Sequence, residues 1–364
     1  MNYIKQLDSI RAIALFLVVL SHWMTANPLV MATHPAGMGV NTFFVLSGFL
    51  ITSILLRTRE EYDFADANKL AAVKIFFIRR SLRIFPIYYL TVFTIFSFSS
   101  LTDTHIRENF GYYLTYTSNF YFYKIGTWDG MVSHLWSLAI EEQFYLLWPW
   151  VMFFIPRKYL LHSILFFIVV GVVSNYIFSP HGLGFVLPFT CFDAFGLGAL
   201  LSYIVVFHKN QLAKTYRVCT VLGVVCTALL VFALMQHQNT IIPGRTVQSF
   251  MALWVITYIL YKRETNQKMF FVLNSRVLIF LGKISYGMYL YHLPLAYDYP
   301  YLHKYINLHL PSFFIEHEFY VVFLENSILL VLLSWLSWKF LERPILSLKS
   351  YFENEVRQEK MVQA

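Results

Sequence analysis

Charge is scarce in this sequence. Asp, Glu, Lys and Arg make up 13 % of its 364 residues, about half of the ~25 % usual in a soluble chain. Hydrophobic residues reach 58 %, and the mean hydropathy is +0.56. No aqueous core of this length hides so much apolar surface, so lipid must be the solvent for much of the chain. A cytosolic or secreted globular enzyme, a nucleic-acid-binding module and a disordered linker are thereby excluded. Cysteine is nearly missing too. Cys191, Cys219 and Cys226 all lie within apolar runs, which offers neither a disulfide framework nor a metal-ligand spacing. Glycine and proline never cluster into a linker, and no fixed-period repeat stands out. The expected organisation is one membrane-embedded domain over 1–345 with a short polar cytoplasmic tail over 346–364.

What the chain has in quantity is apolar runs of membrane-spanning length. Ten can be placed, at 8–27, 39–56, 84–101, 134–155, 159–179, 186–207, 218–235, 245–261, 277–296 and 318–338; each is roughly 17–25 residues long. The fold class they predict is all-α, a polytopic membrane protein with about ten transmembrane helices. The first run carries Arg11 and His22. It therefore reads as a retained span and not as a cleaved signal peptide, whose core is short and purely apolar. Placing both termini in the cytoplasm puts 23 of the 28 Lys and Arg residues on that side. Arg107, Lys124, Arg245 and Lys304 remain outside, a split the positive-inside rule favours. The aromatic stretch from Tyr112 to Tyr123 reads as an interfacial or re-entrant segment.

Ionisable residues inside spans are functional candidates by default. Here they are Arg11, His22, Glu141, Glu142, Asp193, His292 and Glu325. At about 1.5 Å per residue, His22, Glu141, Asp193 and His292 all fall within about 10 Å of the outer face, whereas Arg11 lies about 16 Å below His22. A histidine beside a carboxylate and shielded from water is suited to taking a proton from a hydroxyl. Arginines at the inner face suit a phosphorylated cytoplasmic donor, because the planar guanidinium pairs phosphate oxygens bidentately. Arg79, Arg80 and Arg83 stand at that edge, and their spacing puts Arg79 and Arg83 on one helix face. Each residue also has a plainer reading. The arginines serve as topology anchors, Arg11 snorkels to headgroups, and His22 makes an interhelical hydrogen bond. Glu141 and Glu142 are consecutive and cannot share a face, Glu325 reads as structural and His134 as interfacial.

Several ordered motifs resemble the acyltransferase-3 family of bacterial membrane O-acyltransferases. They are Leu7-Asp8-Ser9-Ile10-Arg11 followed, with ten residues between, by His22, then Gly39 to Ile51, Arg79-Arg80-Ser81-Leu82-Arg83 to Tyr89, and His134 to Tyr145 with Glu141-Glu142. Weaker matches are Phe192-Asp193 to Leu200, Ile284 to His292, and Glu342-Arg343-Pro344. The resemblance implies an enzyme of the bacterial inner membrane that takes an acyl group from cytoplasmic acetyl-CoA and passes it to a sugar hydroxyl. It makes His22 catalytic, with Glu141 and Glu142 in support, and gives donor handling to Arg11, Arg79, Arg80 and Arg83. It calls for no metal. Asn41, Ser137, Asp193 and His292 are the substrate or oxyanion candidates, and tyrosines near the outer face are further oxyanion candidates. The expected acceptor is an envelope or secreted polysaccharide of O-antigen or capsule type. A secreted oligosaccharide or a macrolide is the alternative acceptor, and a glycan transporter the rival class. Many members carry a basic residue before the Phe-Asp of span six, where this chain has Cys191, so a charge pair there is expected to be absent. Some members carry a second, SGNH-type domain; with about 20 residues after the last motif, none is expected here.

Overall fold

The computed structural model describes residues 3–25, 27–65, 67–102, 104–236, 243–263, 270–307 and 318–349, with the backbone alone at 236 and over 298–307 and 318–319. Among them are ten helices of sixteen residues or more: α1 (Lys5–Trp23), α2 (Pro35–Phe64), α3 (Lys69–Ser97), α4 (Leu135–Phe154), α5 (Leu160–Phe178), α6 (Phe192–Phe207), α7 (Leu212–Gln236), α8 (Gly244–Lys262), α9 (Ser285–Asn307) and α10 (Glu318–Ser337). Each overlaps one of the ten apolar runs, and no strand occurs among the described residues. Most of the proposed tail, from 350 onward, lies outside them.

Six segments are long and apolar enough to cross a bilayer, namely Lys5–Trp23, Pro35–Phe64, Arg157–Phe178, Pro188–Phe207, Lys209–Met235 and Tyr320–Ser347. The helices left out are α3, α4, α8 and α9. Polar residues lower their hydropathy: Arg79 to Arg83 in α3, Glu141 and Glu142 in α4, Arg245 to Ser249 in α8, and the tyrosines and His292 of α9. The chain is an all-α polytopic membrane protein whose least apolar long helices carry most of the candidate site.

Helix α2 is the hub, packing against α1, α4, α6 and α8. Its contact with α6 is built on glycine. A Cβ on Gly48 would stand 2.1 Å from the Phe195 carbonyl oxygen, and one on Gly198 would stand 2.1 Å from that of Val45. Two backbones approach this closely only where neither carries a side chain, the small-residue device of helix packing in lipid. On the predicted cytoplasmic side, Arg59 closes the end of α4 by donating from Nη1 to the Met152 and Ile155 carbonyl oxygens at 2.6 and 2.8 Å. Asp63 collects Arg59, Lys69 and Arg157 within 2.8–3.3 Å, and so ties α2 to α3 and to the turn after α4.

The aromatic stretch before α4 is a folded cap containing two short helices, Phe110–Leu114 and Ser118–Ile125. Tyr88 and Tyr89 of α3 donate to the Tyr113 and Leu114 carbonyl oxygens at 2.8 and 2.9 Å. Tyr113 in turn donates to Asp129 at 2.9 Å. Burial and that carboxylate hold the Tyr113 phenol above its ordinary value, which keeps it protonated as a donor.

Gly48→Ala is expected to lower stability by about 1–3 kcal/mol, because an overpacked contact must open. Arg59→Ala is expected to remove about 2 kcal/mol, as two charge-assisted bonds to the end of α4 are lost. The apparent Tm of detergent-solubilised protein measures both, and an unchanged Tm in either variant contradicts the corresponding assignment.

Candidate active site

The C-terminal end of α1 and the third turn of α9 bring two histidines together. His22 Nδ1 lies 2.9 Å from His292 Nε2, and the rings stack with centroids 5.1 Å apart. His292 Nδ1 lies 2.6 Å from the Tyr289 carbonyl oxygen one turn earlier. That oxygen only accepts, so His292 carries its proton on Nδ1 and presents a lone pair on Nε2. His22 must then donate from Nδ1, which leaves the lone pair of its Nε2 free. Trp23 fixes the junction by donating from Nε1 to the His292 carbonyl oxygen at 2.9 Å.

This pairing corrects the expected orientation of His22 by a carboxylate. Glu141 accepts from Ser47 at 2.7 Å, and Ser47 accepts from Tyr145 at 3.1 Å. The buried Oε1 of Glu142 has no hydrogen-bond partner. Asp193 accepts from Thr246 at 2.6 Å and from the Ala194 amide at 2.8 Å. Depth along a helix does not fix the direction in which a side chain faces, so residues at similar levels separate into different clusters.

A third histidine joins the pair. His134, read as interfacial, is only 2 % exposed and meets His292 edge-on with centroids 5.0 Å apart. The positions could have revealed it: His134 and Ser137 share a face of one helix segment, as Tyr289 and His292 do on another, each pair three residues apart. The histidine nitrogens do not converge on one centre, and no metal-holding group of His, Cys, Asp and Glu occurs among the described residues.

Below the histidines lies a cavity of about 230 Å³ whose lining includes Arg11, Ser47, Arg80, Arg83, Ser137, Glu141, Glu142, Tyr145 and Tyr289. Toward the predicted cytoplasmic side a second cavity, of about 430 Å³, shares Arg80 and Arg83 and adds Arg79 and Lys349. Arg80 and Arg83, three apart, thus serve both cavities, whereas Arg79 lines only the inner one. Arg79 and Arg83 line the inner cavity together, as their spacing implies, and Arg80, which that spacing alone sets apart, joins them there. The Arg80 guanidinium sits 5.4 Å from the centre of the Tyr145 ring, which holds it in the wall. Arg11 pairs with Asp8 at 2.7 Å. Asp8 also accepts from Tyr3, whose phenol burial and Asp8 push up to about 12, so it stays a donor at neutral pH.

Asn41 and Asp193 belong to a separate cluster around Arg245, in the first turn of α8. Arg245 donates to the Phe185 carbonyl oxygen, to Asn41 Oδ1 at 3.1 Å and to Cys191 Sγ at 3.3 Å. No ion pair joins Arg245 to Asp193 among the described residues, yet a cation does stand against Cys191. Cys191 replaces the basic residue in sequence, and Arg245 brings a positive charge from another helix to the same place. Arg245→Ala is expected to lower the apparent Tm, by removing three bonds and the cation nearest Asp193, and Cys191→Arg in that background to restore part of it. If the first substitution leaves Tm unchanged, Arg245 does not hold this cluster together.

Comparison with known proteins places the chain. A family profile described as "Acyltransferase domain", acyltransferase-3, matches residues 4–341. Relatives include the provisionally named O-acetyltransferase SACOL0978 of Staphylococcus aureus strain COL, 29 % identical over 377 residues, covering 94 % of this chain and 57 % of the relative. O-acetyltransferase OatA of Staphylococcus aureus strain NCTC 8325 is 26 % identical over 374 residues, with the same coverage. This chain thus spans little more than half the length of the curated relatives it matches. No solved structure matches it. With the profile running from the first turn of α1 to the end of α10 and beyond, the chain belongs to the acyltransferase-3 family.

Proposed function

We propose that this protein is an O-acetyltransferase of the bacterial inner membrane, moving an acetyl group from cytoplasmic acetyl-CoA to a sugar hydroxyl of an envelope or secreted polysaccharide. The observation that carries this reading is the free Nε2 of His22, linked through His292 to Tyr289, which lines a cavity walled also by Arg11, Arg80 and Arg83. All ten long helices cross the membrane, with both termini cytoplasmic. The phosphates of the donor bind Arg79, Arg80 and Arg83, where planar guanidinium groups pair phosphate oxygens bidentately. The pantetheine arm rises through the smaller cavity past Glu141 and Glu142, over a span comparable to the about 16 Å from Arg11 to His22. The carboxylates offset the arginines and keep the unoccupied chamber from being an uncompensated cationic hole in a low dielectric.

The acceptor hydroxyl reaches His22 from the outer side. Its proton passes to His22 Nε2 while its oxygen attacks the thioester carbonyl carbon. The tetrahedral intermediate collapses, the carbon–sulfur bond breaks, and the CoA thiolate takes the proton back from His22. An acetyl ester and free CoA thiol result. His22 donates to His292 from Nδ1 throughout, so the ring does not rotate between the two proton transfers.

His22→Ala, assayed as purified protein with labelled acetyl-CoA and glycan-bearing membranes, is expected to lose about 10²–10⁴-fold in transfer, the contribution of a positioned base. Arg80→Ala and Arg83→Ala are expected to raise KM for acetyl-CoA at least tenfold, with lysine restoring only part because the fork is lost. Wild-type transfer by His22→Ala, at normal expression, overturns the proposal.

A further inference from the structure

We infer that Tyr289 donates the hydrogen bond that stabilises the oxyanion formed from the thioester carbonyl. This rests on the acyl-transfer reading above and adds a catalytic residue to it. Tyr289 lies at the boundary between the two halves of the site. Its side chain borders the smaller cavity, as Ser137 does, and its backbone carbonyl holds His292. The Tyr289 and His292 ring centroids are 5.3 Å apart, so a single imidazole separates the Tyr289 ring from that of His22.

The hydroxyl has a proton it can redirect. Tyr289 Oη and Ser137 Oγ are 2.5 Å apart, and both reach the His134 carbonyl oxygen, at 3.2 and 3.1 Å. Ser137 satisfies that carbonyl from within its own helix segment, three residues on. The Tyr289 proton is then left on Ser137 Oγ, a neutral and weaker acceptor. An oxyanion arriving in the cavity is a far stronger acceptor, and Tyr289 changes partner without leaving a buried group unsatisfied. Asn41 does not compete for this role. Its amide already donates to Gln248 Oε1 at 2.8 Å and to the Arg245 carbonyl oxygen at 3.4 Å, and its own oxygen accepts from Arg245.

In the step itself the acceptor oxygen bonds to the carbonyl carbon and the π pair moves onto the carbonyl oxygen. That oxygen accepts from Tyr289, whose proton stays on the phenol. When the carbonyl re-forms, the carbon–sulfur bond breaks and the hydrogen bond relaxes back to Ser137. Donor and base are thus set by one turn of α9: the Tyr289 side chain meets the oxyanion while its main chain orients the base through His292.

Tyr289→Phe deletes one oxygen and leaves the ring and the backbone carbonyl in place. Thiol release from acetyl-CoA, with water as acceptor, is followed on the purified full chain so that no glycan need be chosen. Expected is a fall in kcat of about 10²–10³-fold, as for the loss of an oxyanion donor, with KM for acetyl-CoA within twofold of wild type and an unchanged apparent Tm. Ser137→Ala, which keeps the phenol, is expected to retain more than a tenth of the wild-type rate. If His22→Ala is inactive and Tyr289→Phe releases thiol at the wild-type rate, the Tyr289 assignment falls alone; so does it if Ser137→Ala is as inactive as His22→Ala. If His22→Ala itself releases thiol at the wild-type rate, the acyl-transfer reading falls.

Discussion

One hydrogen bond between two imidazoles joins the first and ninth long helices, and the direction of its proton decides what the outer end of the site is able to do. His292 is held by a main-chain oxygen, a partner that cannot reverse its role. The donor–acceptor sense of the whole series is fixed from that end, and the last member, His22, keeps an unprotonated nitrogen. A carboxylate in the place of His292 would orient His22 equally well. It would also bring a buried negative charge close to the membrane surface, with no cation bonded to it. Two neutral rings avoid that penalty, and the indole of Trp23 bonds to the same turn and keeps α1 and α9 in register.

Charge is consequently sorted by level. The arginines of α1 and α3 and the glutamates of α4 share the walls of one cavity, where opposite charges offset each other. His134, which packs against His292, stands at the start of α4 about two helical turns from Glu141, some 10 Å by helical rise. Between the two levels lies a layer formed by Phe43, Ser137 and Tyr289, all of which line the cavity; Tyr289 reaches both sides of it. On the proposed reading, an acyl group delivered from the charged level meets the neutral one across this layer, and the residues of the layer are the ones placed to touch its carbonyl.

The helices were legible in the sequence because lipid imposes a length on every span, and the ten runs carry it. The separation of Arg11 and His22 was legible for the same reason: they share one helix, and rise per residue converts spacing into depth. What could not be read was any relation between helices. His22 and His292 are 270 residues apart, and nothing local in either segment announces the other. Arg245 looked like an outer-loop charge and Cys191 like a missing one, until packing brought them within 3.3 Å. The four-residue step from Arg79 to Arg83 marks a shared face, while the three-residue step from Arg80 to Arg83 brings Arg80 to the same cavity wall. His134 stands at the end of an apolar run, where an interfacial place is expected, yet it packs against Tyr289 and His292 and is buried.

The most direct measurement is a cryo-EM structure of the full chain with a non-hydrolysable thioether analogue of acetyl-CoA. The account predicts nucleotide phosphates against Arg79, Arg80 and Arg83, with the acyl carbonyl oxygen beside Tyr289 and its carbon facing His22 Nε2. An analogue bound with its phosphates on the opposite side of the membrane, or with its acyl group away from the His22–His292 pair, would contradict it.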